Sequence, residues 1–135
     1  MDSNKLPLTE FVWLHAKWRD LAISGLFNEA LDLLDATIKF HQDQDQPSVR
    51  YLSTLISLKG DTYRKMKRYD EAINQYKQAH SVEESDVLLS HIAECYWMMG
   101  DSEQAEKEIA RVTMPYVVKS YEYWKQHMAD REASR

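Results

Sequence analysis

The chain has 135 residues, a formal net charge of −5, three glycines, three prolines and a single cysteine. That length holds one domain with a real core, and the acidic balance argues against a general affinity for nucleic-acid phosphates. No apolar run is long enough to span a membrane, the opening "MDSNKLPLTEF" lacks the basic and apolar regions of a signal peptide, and Cys95 has no partner for an internal disulfide, so an intracellular, reducing compartment is expected.

Ala, Leu, Lys, Glu, Gln and Tyr dominate, which favours helix over strand. The first apolar stripe is Phe11, Leu14, Trp18 and Leu21, and the second is Phe27, Ala30, Leu31, Leu34 and Ile38, each at helical spacing. "HQDQDQPS", residues 41–48, reads as a polar loop. Two further helices follow, marked by Leu52, Leu55, Tyr63 and Met66, then by Ala72, Ile73, Tyr76 and Ala79. Leu88, Leu89, Ile92, Tyr96 and Met99 mark the fifth helix, and Ala105, Ile109 and Val112 the sixth. Pro115 suits the first turn of a seventh, which carries Val117 or Val118, then Tyr121, Trp124 and Met128. Gly25 and Gly100 mark turns between helices, and Asn28, Asp70 and Ser102 are the expected N-caps.

Superposing these pairs exposes a period. Tyr63 and Tyr96 are 33 residues apart, as are Ala72 and Ala105, and Lys67 and Gly100. Ala30 precedes Ala72 by 42 residues, and the polar loop absorbs the excess. The pattern Gly60-x2-Tyr63, Ala72-x3-Tyr76, Ala79, repeated as Ala93-x2-Tyr96, Gly100, Ala105, Ile109, resembles the tetratricopeptide repeat. The expected fold is all-α, an α-solenoid of about three helix-turn-helix repeats (about 9–40, 50–82 and 86–114) with a C-terminal capping helix over about 115–130, all in one domain of residues 1–135. Gly60, Ala72, Ala79, Ala93 and Ala105 are expected to permit close helix crossings, and Tyr63, Tyr76 and Tyr96 to fill the spaces between successive pairs. Trp18 stands where later units have Gly60 and Ala93, so unit one should spread its helices or turn Trp18 toward another surface.

Catalytic and cofactor signatures are missing. The five histidines have no ligand-like spacing, Cys95 reads as a small core filler, and there is no phosphate loop, H-E-x-x-H or nucleophile elbow. The expectation is therefore no enzyme, no cofactor, no metal and no nucleic acid. The positions at which some tetratricopeptide domains clamp a terminal carboxylate hold His15, Arg19, Ser57, Asp61, Ser90 and Glu94, and the two acids speak against that clamp. "YRKMKRY" gathers Arg64, Lys65, Lys67 and Arg68 at a turn, read first as a solvated helix C-terminus and second as a dock for an acidic segment.

Protein partners are expected. The surface candidates are Trp13, Trp18, Arg19, Asp61, Arg64, Glu94 and Trp97, with Trp13 and Trp18 serving self-association, since Trp and Tyr favour interfaces. "WRDLAISGLFNEALDLL" (18–34), "GDTYRKMKRYDEAINQYKQA" (60–79) and "HIAECYWMMGDSEQAEKEI" (91–109) resemble the tetratricopeptide-repeat subunits of the anaphase-promoting complex, a ubiquitin ligase of cell division. That resemblance implies a homodimerising, non-catalytic scaffold beside other repeat subunits, in nucleus and cytoplasm. The alternative is an adaptor that takes an extended peptide in the concave groove.

Overall fold

The computed structural model describes residues 8–134, so most of the opening segment lies outside the described residues. Seven helices and no strand occupy them: α1 (Leu8–Ile23), α2 (Phe27–Gln42), α3 (Val49–Lys65), α4 (Tyr69–Val82), α5 (Asp86–Met98), α6 (Ser102–Ile109) and α7 (Pro115–Ala133). Consecutive helices pack as antiparallel pairs, each stacked on the next, so no pair covers its own apolar face. The core is a file of three clusters: Leu14, Trp18, Leu34 and Leu55; then Ile56, Ile73, Tyr76 and Ile92; then Leu89, Ile109, Val117 and Tyr121.

The period is visible in the turns. After α1, α3 and α5 the chain enters the left-handed region at Gly25, Lys67 and Gly100, with φ of 76°, 61° and 82°. The following N–H donates back five residues each time, Leu26 to Leu21, Arg68 to Tyr63 and Asp101 to Tyr96, at 2.9 Å. These are Schellman closures, which satisfy the free carbonyls of a helix end. Glycine enters that region freely, whereas a residue with a Cβ is strained by about 1 kcal/mol. Lys67 alone of the three carries that strain.

The closures also shift the caps. Asn28, Asp70 and Ser102 fall inside the first turns of α2, α4 and α6, and the capping positions are Leu26, Arg68 and Asp101, because the residue that closes one helix immediately opens the next. Only Asp101 caps with its side chain, accepting from the N–H of Gln104 at 3.1 Å. Helix α2 is also longer than expected. It takes in His41, whose imidazole is buried edge-on against Tyr51 and lies 3.0 Å from Glu10.

Ala30, Ala72 and Ala105 are fully buried at equivalent places, and Ala79 and Ala93 are fully buried elsewhere in the stack. Gly60 meets an aromatic partner rather than another small residue: a Cβ added there would lie 2.7 Å from the ring of Tyr76. Tyr63 and Tyr96 are both half-buried beside a cation, but the cations differ in origin: Arg68 comes from the turn after Tyr63, whereas Lys77 reaches Tyr96 from α4. Unit one is looser, as its bulky indole predicts, with fewer close approaches between α1 and α2 than between α3 and α4. Trp18 does not turn outward, however. It is 6% exposed and its Nε1–H donates to Thr62 Oγ1 at 2.9 Å, joining α1 to α3.

Candidate functional site

Arg64 of α3 lies at the centre of a face shared by α3, α5 and α7. Its Nη1 donates to Glu94 Oε1 at 2.6 Å, and its guanidinium sits 5.4 Å from the ring centre of Trp124. His91, one turn before Glu94 on α5, places Nδ1 3.1 Å from the same oxygen. Trp97 packs edge-on against Trp124 with 5.4 Å between ring centres. The Tyr76 hydroxyl, reaching through from α4, donates to Asp61. Trp18, Asp61, Arg64 and Lys65 line an open cleft at one end of this face.

Burial alone would raise the Glu94 carboxyl, but the His91 hydrogen bond and the charge of Arg64 outweigh it and hold the group below its usual range. Burial likewise works against the Arg64 charge, and Glu94 overrides it, so the guanidinium is fixed as a cation. Desolvation first, then the Asp61 carboxylate, pushes the Tyr76 phenol well above its ordinary value, keeping it a neutral donor. Cys95 behind the network is fully buried, and its thiol is pushed up to about 12, chiefly by desolvation. A thiol in that state is inert.

These contacts redistribute the expected surface residues. Asp61, Arg64, Glu94 and Trp97 do converge on one face, but each is engaged with another side chain of this chain. Trp18 is mostly an internal contact between α1 and α3, and only its remaining edge lines the cleft. Trp13, at 61% exposure, and Arg19 stand open on α1. Composition offered no hint of Thr62, the acceptor for Trp18, or of the place of Trp124 beside Arg64.

Asp86 anchors the last helix. Its Oδ2 accepts from the backbone N–H groups of Thr113 and Met114 and from the Thr113 hydroxyl, tying the entry of α7 to the start of α5. The backbone donor at Met114 first, then those of Thr113, lower the Asp86 carboxyl.

The tetratricopeptide repeat family matches residues 63–124, from the end of α3 into α7. The fold is an all-α tetratricopeptide-repeat solenoid. No curated protein and no solved structure matches the chain. The tetratricopeptide match covers the span in which Tyr63 and Tyr96, and Ala72 and Ala105, repeat. Tetratricopeptide units are protein–protein interaction modules, typically without catalytic residues. The face just described, with paired charges beside aromatic rings, suits that role.

Proposed function

We propose that this chain is a non-catalytic scaffold module that forms a homodimer through its first helix pair, within a multisubunit assembly of the anaphase-promoting type. The specific relative is subunit 7 of that complex, of which the chain resembles the N-terminal region, and nucleus and cytoplasm are the compartments that follow. The observation that carries the dimer is the outer side of α1. Val12, Trp13 and Ile23 stand exposed there, Ile23 by 74%, on the first layer of the described stack, whose second and third layers each have a neighbour on both sides. Lys17, Arg19 and Asp20 flank them, so the rim of the patch carries charges of both signs. An adaptor that holds a peptide in the concave groove is the second reading. Scaffolding is favoured because Arg64 and Glu94 already satisfy each other.

Multi-angle light scattering tests the dimer. The wild-type chain should elute at twice its 15.9 kDa mass at micromolar concentration, and Trp13→Asp with Ile23→Asp should return it to one copy with an unchanged helical spectrum. A wild-type monomer would remove this reading. Affinity purification of the gene product should bring down other repeat subunits of a ubiquitin ligase, and their absence would remove that membership while leaving the dimer standing.

A further inference from the structure

We infer that the α3–α4 turn is a docking point for an acidic polypeptide segment, contacted by Lys65 and Lys67. Four cations meet at this turn, and two are consumed internally. Arg64 pairs with Glu94, and Arg68 grips Glu71 through two hydrogen bonds of 2.6 Å while covering the ring of Tyr63. Lys65 and Lys67 are both exposed and have no hydrogen bond, ion pair or ring contact among the described residues.

Lys67 carries a second mark. It holds φ 61° where the matching turns have glycine, so a strained residue stands where its side chain pairs with none of the described groups. Strain kept without an internal return points outward. Beside it, Lys65 forms one wall of the cleft lined also by Trp18, Asp61 and Arg64. Asp61 is the one carboxylate at that cleft, and the Tyr76 hydroxyl already donates to it. Two free lysines on a chain of net charge −5 suit a short run of carboxylates better than a nucleic-acid backbone, which needs many cations.

Fluorescence anisotropy of a labelled Asp/Glu-rich peptide with the full chain provides the test. Binding is expected to weaken with salt, and Lys65→Gln with Lys67→Gln to lower affinity by roughly two- to fivefold per lysine. Lys67→Gly separates docking from folding. It should raise Tm by roughly 2–5 °C through relief of strain and still weaken the peptide. A higher Tm with unchanged peptide affinity would overturn the inference. So would equal binding by the double variant, or tighter binding of a single-stranded oligonucleotide of the same charge.

Discussion

Tyr76→Ala is expected to destabilise the protein by about 3–5 kcal/mol, as a lower urea midpoint with the slope retained. The side chain is fully buried and joins three helices. Its ring rests on α3, where Gly60 leaves it space, and tilts against His91 of α5 with 5.4 Å between ring centres. Its hydroxyl donates to Asp61. Truncation would open a cavity at the joint between the second and third layers, where neither layer can collapse without moving its neighbour. The same joint can be stressed from the other side: Gly60→Ala would push a methyl into the ring and should lose about 1–3 kcal/mol. Loss of less than 1 kcal/mol in Tyr76→Ala would mean that the layers do not meet through this ring.

The second large effect is electrostatic. Glu94→Ala should lose about 2–4 kcal/mol, because Arg64 would be left partly buried with its charge unmatched. A pH dependence follows from the lowered Glu94 carboxyl. A depressed value means that the folded state favours the charged form, so the contribution is complete above about 4.5, the ordinary value of the group, and is lost as pH falls through the lower value held in the fold. Chemical denaturation of wild type and Glu94→Gln across this range should give a gap that is wide near neutrality and narrows in acid. A gap constant from neutrality into acid would show that the carboxylate charge contributes nothing.

The solenoid was legible in the sequence because its determinants are local and repeat. Alanines at Ala72 and Ala105, tyrosines at Tyr63 and Tyr96, and the Gly25, Lys67 and Gly100 turns recur with the chain itself, and backbone closure forces them into equivalent conformations. The surface was less legible because its partners lie between layers. Whether Trp18 points to solvent or to Thr62 depends on how far α1 leans on α3, 44 residues away, and no periodic signal encodes that lean. Large aromatics were therefore read by residue type alone, although Trp18 is buried and Trp97 is half-buried edge-on against Trp124. Trp13 falls on the opposite side of α1 from Trp18, a difference that the helical register of that segment did contain.

Arg64 reaching Trp124 has a mechanical consequence. A stack in which every layer touched only its neighbours would fray from its open end one layer at a time. This side chain stitches the second layer to the terminal helix across the layer between, so peeling α7 away also strips the aromatic cover from an ion pair deep in the array. Local fraying is thereby opposed, and hydrogen exchange in α7 is expected to follow that of α5 rather than that of a free end.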